Sequence, residues 1–270
     1  TFVWGSTLAP ATLRAIKEAG FHCVELLGEP GLCDLSDRSF VGSLVRTVRR
    51  IELPVASVHS RLTPGDLSSP DAGERRVQME FVAQALEAAQ RLETRVIVVH
   101  PSLHLEGPVD REQRYRILAD SLAALAGEAE PQGVWLAVEN MLPNHLCDDL
   151  SETARFIGAL GLSSVGVCFD SGHAQLCGQI TQAQAIAPFI LSTHIHDNHG
   201  VSDEHLVPFA GHTDWAGVAP VLARSNRAQV LMLEVGPGGP DRLALACVAG
   251  RRLRSMVPKA RNRSTCAASE

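Results

Sequence analysis

Aromatic residues are scarce in this chain: Phe, Trp and Tyr make up 4% of its 270 residues, and Tyr115 is the single tyrosine. A surface that stacks single-stranded nucleic acid interleaves basic and aromatic side chains, and no such stripe occurs. Positive charge is not in surplus either. The formal net charge is −6, and an acidic balance works against tight binding to a phosphate backbone. No run of about 18 apolar residues is present, so no membrane-spanning helix is expected. The opening residues TFVWGSTLAP lack a basic segment ahead of an apolar one, so no secretory signal is expected. Seven cysteines, at 23, 33, 147, 168, 177, 247 and 266, form no C-x-x-C pair and no regular spacing. They read as reduced thiols in a cytoplasmic setting, with Cys23 and Cys168 as small core residues inside apolar runs. No G-x-G-x-x-G follows the first apolar run, which counts against a doubly wound dinucleotide-binding sheet.

What the chain has is an alternation. Eight short apolar runs, FVWGS (2–6), CVELL (23–27), VASVH (55–59), VIVVH (96–100), VWLAVEN (134–140), VGVCFD (165–170), LSTHIHD (191–197) and VLMLEV (230–235), are separated by longer amphipathic stretches. The runs are near-continuous, as in strands buried on both faces of a parallel sheet. Helical spacing is evident over 10–20, 71–92, 111–130, 151–161, 214–225 and 240–254, with Pro10 and Gly20 punctuating the first and Ser151 and Asp214 as candidate caps. This order predicts a single-domain α/β protein, a (β/α)8 TIM barrel over residues 1–256, with a polar C-terminal tail, 257–270, expected to be disordered. The longest connections, 60–70, 101–110, 141–150 and 198–213, all follow strands, and in a barrel they build the active-site face.

The same rim collects the polar residues. The third run ends in His59, the fourth in His100, the fifth in Glu139 and Asn140, and the sixth in Asp170, with His173 three residues on. The seventh carries His194, His196 and Asp197, its loop brings Asp203 and His205, and the eighth carries Glu234. Convergent carboxylates repel one another, and a divalent cation is the simplest neutraliser. Imidazole with carboxylate suits Zn²⁺, Mn²⁺, Fe²⁺ or Co²⁺ better than Mg²⁺ alone. Glu25, late in the second run, either reaches this pocket or makes a structural pair. Arg61 is the one obvious residue placed to meet a substrate phosphate. His22, His104, His145, His199 and His212 lack the strand-end placement and read as surface or supporting residues.

At these residues the sequence resembles the xylose-isomerase-like barrel superfamily, which includes sugar isomerases, ketose epimerases and the abasic-site enzyme endonuclease IV. The matching pieces are SVHS, VVHPS, AVENM, CFDSGH, HIHDNHG with DEHLVPFAGHTDW, and LMLEVGP, in the family's order. The resemblance implies a metal site made of Glu139, Asp170, His194 and Glu234, with Zn²⁺ or Mn²⁺ foremost and Co²⁺, Fe²⁺ or Mg²⁺ as alternatives. His59 and His100 match further ligands of the trinuclear nuclease, and His173, Asp203 and His205 match its third site. In the epimerases the position of His173 contacts substrate instead, and His196 is a further substrate candidate. The implied function is a metal-dependent isomerase or epimerase of a sugar, sugar phosphate or related hydroxy-carbonyl compound, in which Glu139 and Glu234 move a proton through a metal-stabilised enediolate. The alternative is phosphodiester hydrolysis at abasic DNA sites. Against it, the segment SRLTPGDLSSP after His59 lacks the Tyr-Leu pair that the nuclease inserts into the duplex. A barrel that binds a ligand without catalysis is a third reading, and a homo-oligomer is compatible with the sequence.

Overall fold

The computed structural model describes residues 2–3, 8–225 and 230–257. Strand and helix alternate along it: β1 (Phe2–Val3), α1 (Pro10–Glu18), β2 (Val24–Leu27), α2 (Arg38–Arg50), β3 (Val55–His59), α3 (Ala72–Leu92), β4 (Val96–Val99), α4 (Arg111–Ala129), β5 (Trp135–Glu139), α5 (Leu150–Leu160), β6 (Val165–Asp170), α6 (Ser171–Leu176), β7 (Ile190–His194), α7 (Trp215–Arg224), β8 (Glu234–Val235) and α8 (Gly239–Met256). Strands β2 to β7 pair in chain order, each parallel to the next. A parallel bridge from Ile195 to Leu233 carries the ring on to β8, and β8 pairs with β1. Among the described residues, the one seam with neither a ladder nor a bridge lies between β1 and β2. The chain is therefore a (β/α)8 barrel, and no described helix is long and apolar enough to cross a membrane.

Alternate residues of β4 to β7 serve two cores, which is why these runs read as continuously apolar. Val98, Ala137, Cys168 and Leu191 point inward and form a small plug inside the barrel, with Val96 and Trp135 against it. Ile97, Val99, Leu136, Val138, Val167 and Phe169 belong to the large core shared with the helices. Two ladders carry a one-residue irregularity. Between β2 and β3 the register passes from Val24–Val55 to Glu25–Ser57, skipping Ala56. Between β6 and β7 it passes from Val167–Ile190 to Cys168–Ser192, skipping Leu191. Bulges of this kind re-aim the side chains that follow them.

Several boundaries differ from the sequence expectations. The first and last strands are short, because only Glu234–Val235 of the run 230–235 is in ladder register. The cap of α5 is Asp149, whose side chain accepts the Glu152 N–H at 2.7 Å, rather than Ser151. A carboxylate two residues earlier wins because it also complements the positive helix end. Helix α2, capped by Asp37, was not among the spaced segments. The predicted tail, apart from Val257, and residues 4–6 of the first run lie outside the described residues.

Candidate metal centre and cavity

The inward line of each strand turns polar as it reaches the C-terminal rim. Two residues beyond Val98 stands His100, two beyond Ala137 stands Glu139, and two beyond Cys168 stands Asp170. The ladder sets Glu139 beside Cys168 and Asp170 beside His194. The polar cluster thus sits directly on the apolar plug, buried by it from below.

Glu139 is the hub. Its Oε2 lies 3.2 Å from both His59 Nε2 and His100 Nε2, and its Oε1 lies 3.3 Å from His173 Nδ1 and from His194 Nδ1. His194 Nδ1 is also 3.2 Å from Glu234 Oε2 and 3.9 Å from Asp170 Oδ2. Its other nitrogen, Nε2, is 2.8 Å from Glu25 Oε1. Asn140 ties β5 to β6 by donating to the Asp170 carbonyl (2.9 Å) and accepting the Asp170 N–H (2.8 Å). Asp170 Oδ1 caps α6 by accepting the His173 N–H (2.7 Å), and its Oδ2 is 3.1 Å from His196 Nε2.

The loop after β7 returns over this centre because Asp197 fastens it. The Asp197 carboxylate accepts the N–H groups of Asn198, Gly211 and Thr213 and the Trp215 indole N–H, and its backbone bridges to Leu206. The intervening turn carries Asp203 and His205 to the rim. Asp203 Oδ2 lies 3.0 Å from His205 Nε2 and 3.5 Å from His173 Nε2. The His205 ring stacks on His196 at 4.2 Å. Gly172, beneath His196, has no room for a side chain: a Cβ there would fall 2.0 Å from His196 Cε1.

Above the centre opens a cavity of about 180 Å³, lined by Glu25, His59, His100, Glu139, His173, Asp203, His205 and Glu234 and by the apolar Leu27, Leu62, Met141 and Leu142. His194, Asp170 and His196 form its floor rather than its wall. Arg61 is not among the lining residues: its guanidinium lies over the Phe81 ring at 4.6 Å, with Nε 3.8 Å from Glu29 Oε2. His199 sits outside the cavity against Glu204 (2.9 Å), with His212 at its ring edge.

Opposing effects set the charges here. Burial pushes Glu139 up, but the His194 and His100 imidazoles outweigh it and hold the carboxyl well below the usual range. Burial lowers His194, yet Cys168 and the carboxylates Glu25, Glu234 and Glu139 hold it well above the usual imidazole range. Burial lowers His205 too, and its hydrogen bond to Asp203 and the nearby Glu234 raise it to about 9.

The donor set fits a divalent cation. Single ligand atoms of Glu139, Asp170, His194 and Glu234 lie within 4.8 Å of one another. A tetrahedral ion with ligand bonds of about 2.1 Å separates its ligands by about 3.4 Å, and the spacings from His194 Nδ1 run from 3.2 to 3.9 Å. His194 Nδ1 and Glu234 Oε2 are buried with no hydrogen-bond partner, which native interiors tolerate poorly without an ion or water. Further groups able to hold an ion are His59, His100 and Glu139; Asp170, His173 and His196; and His196, His205 and Glu234.

A family model described as xylose isomerase-like TIM barrel matches residues 13–249. Among curated proteins, y4fM of Sinorhizobium fredii is 33% identical, spanning 94% of this chain and 80% of its own length. Among solved structures, the IolI protein with a bound zinc atom superposes with a TM-score of 0.77 at 19% identity, covering 93% of each chain. A D-tagatose 3-epimerase-like protein gives 0.75 at 21% identity, over 89% of this chain and 90% of that one. At such identities the structural likeness speaks for the fold.

Proposed function

The chain belongs to the xylose isomerase-like TIM barrel family, and on that premise we propose that it is a divalent-metal-dependent isomerase or epimerase of an uncharged sugar or related hydroxy-carbonyl compound. The observation that carries this reading is the convergence of Glu139, Asp170 and His194, the last residues of β5, β6 and β7, with Glu234 of β8 on one point under a small cavity. Glu139, Asp170, His194 and Glu234 would hold the ion, zinc or manganese foremost, and it would supply Lewis-acid polarisation of the substrate carbonyl. Glu139 and Glu234 approach that point from two different strands, at 3.3 and 3.2 Å from the same His194 nitrogen. One takes the proton from the carbon beside the carbonyl and the other hands one back, which inverts the centre or shifts the carbonyl. His173 and His205 stand at the wall to hold substrate oxygens, and His196 acts from below by supporting Asp170 and His205. No Lys or Arg lines the cavity among the described residues, while four carboxylates do, which favours an uncharged substrate over a sugar phosphate. Leu27, Leu62, Met141 and Leu142 offer the apolar wall that a C–H face of a sugar packs against.

The test is incubation with a panel of ketoses in D2O. Deuterium enters the carbon beside the carbonyl in the metal-loaded protein and not in Glu139→Gln or Glu234→Gln. Unimpaired exchange in both variants sinks the proposal. One observation favours a second reading: the two oxygens of Glu139 face two histidine sets, His59 with His100 and His173 with His194, as a carboxylate bridging two ions would. That arrangement supports abasic-site phosphodiester hydrolysis by a multinuclear cluster. It calls for two or three zinc ions per chain by mass spectrometry and nicking of abasic duplex DNA; a single ion per chain sets it aside.

A further inference from the structure

Glu25 stands on β2, outside the four residues proposed to hold the ion, and its side chain is 2% exposed. The irregularity in the β2–β3 ladder sets it opposite Ser57 instead of Ala56, and so turns it toward the barrel axis. One oxygen accepts the Ser57 hydroxyl, and the other meets His194 Nε2 at 2.8 Å. His194 owes its own inward register to the matching irregularity at Leu191. Two bulges, on non-adjacent strands, therefore bring this one pair together.

We propose that Glu25 is a positioning residue for the metal centre: it takes the Nε2–H of His194, fixes the ring plane, and leaves Nδ1 as the ligand atom facing Glu139, Asp170 and Glu234. The inference rests on the reading of those four residues as a metal site. A ligating imidazole keeps one proton, on the nitrogen that does not ligate, and an acceptor at that nitrogen decides which one it is. At Nδ1 the carboxylates Glu139 and Glu234 attract a proton into the place of the ion, from 3.3 and 3.2 Å. An acceptor on the far side of the ring opposes this. The His59 ring, stacked on His194 at 5.6 Å and 18°, limits tilting but offers no acceptor to Nε2. Glu25 also lines the cavity, so its carboxylate lies within the field of the bound ion.

The test measures zinc affinity by competition with a chromophoric chelator in the full chain, for wild type, Glu25→Met and Glu25→Gln. Met keeps the shape and removes the acceptor; Gln keeps an acceptor oxygen. The expected result is an affinity lowered about 10- to 100-fold in Glu25→Met, with Gln recovering most of it. Wild-type affinity in Glu25→Met, or a loss in Gln as large as in Met, overturns the proposal. Long-range 15N–1H spectra of the zinc-loaded wild-type protein give a readout that needs no variant to fold. The His194 proton must sit on Nε2, and a proton on Nδ1 overturns the proposal. Absence of zinc binding by the wild type refutes the metal reading itself, whereas equal binding by all three proteins refutes the role of Glu25 alone.

Discussion

Gly172 fixes the floor of the cavity by leaving space for the His196 ring. Gly172→Ala forces a shift of either α6 or His196, since the added carbon would lie 2.0 Å from Cε1. The expected cost is on the order of 1–3 kcal/mol, read as a lower urea midpoint at unchanged slope. At Glu139 the expected loss is catalytic. Removing the negative charge from a group held ionised by His194 and His100 lowers kcat by about 10³ or more, measured on the ketose that first shows exchange. Most residues of the centre were readable one at a time, since a His, Asp or Glu at the end of an apolar run is conspicuous. Their placement at strand ends, without the family resemblance, did not reveal their division of labour. His194 and His196 are two residues apart in the sequence, yet the first, at the end of β7, faces Glu139 and Glu234 while the second, just beyond it, supports Asp170.

Among the elements, α5 and the 197–215 loop depend on single carboxylates. Asp149→Ala removes the cap of α5 and costs about 1 kcal/mol, whereas Ser151→Ala leaves thermal unfolding nearly unchanged. Asp197 gathers three backbone N–H groups and the Trp215 indole, a set that holds its carboxyl below the usual range against the opposing effect of burial. A depressed folded value contributes stability above the unfolded carboxyl value of about 3.9, and that stability is lost as pH falls through the folded value. Amide exchange at Gly211 and Thr213 therefore accelerates as pH drops below about 4, relative to core amides, and Asp197→Asn shows the faster exchange already at neutral pH. Helix α2 escaped notice because its polar positions carry many arginines and its buried positions, Val41, Leu44, Thr47 and Val48, include a polar one. The bulges at Ala56 and Leu191 left no mark in the sequence at all, since both lie within unbroken runs.

For the whole molecule, the proposed ion couples folding to occupancy. Glu139, Asp170, His194 and Glu234 come from four strands, so an unfolded chain does not present them together. An ion at about 100 times its dissociation constant adds about 2.7 kcal/mol, which raises Tm by roughly 5–10 °C for a chain of this size. Thermal scans with and without zinc, and after chelator, check this; a coincident Tm in all three counts against a metal centre at this place. The acidic surplus belongs to the same scale. Net charge is −6, and concentrating carboxylates around one cavity favours a cation there over a polyanionic partner.

The sequence by itself determined the barrel and the rim on which the candidate site is placed. Alternating apolar runs and amphipathic stretches admit few packings, and polar residues that end buried strands fall on one rim wherever the strands are parallel. Only the tertiary structure decided which atoms meet. The pairing of Glu25 with His194, 169 residues apart, depends on ladder register, and a one-residue shift in register turns a side chain from one face of a strand to the other. The departure of Arg61 to Phe81 and the return of Asp203 over the rim depend likewise on a helix face and on a loop pinned by Asp197. Such contacts are set by packing in three dimensions, and no spacing along the chain encodes them.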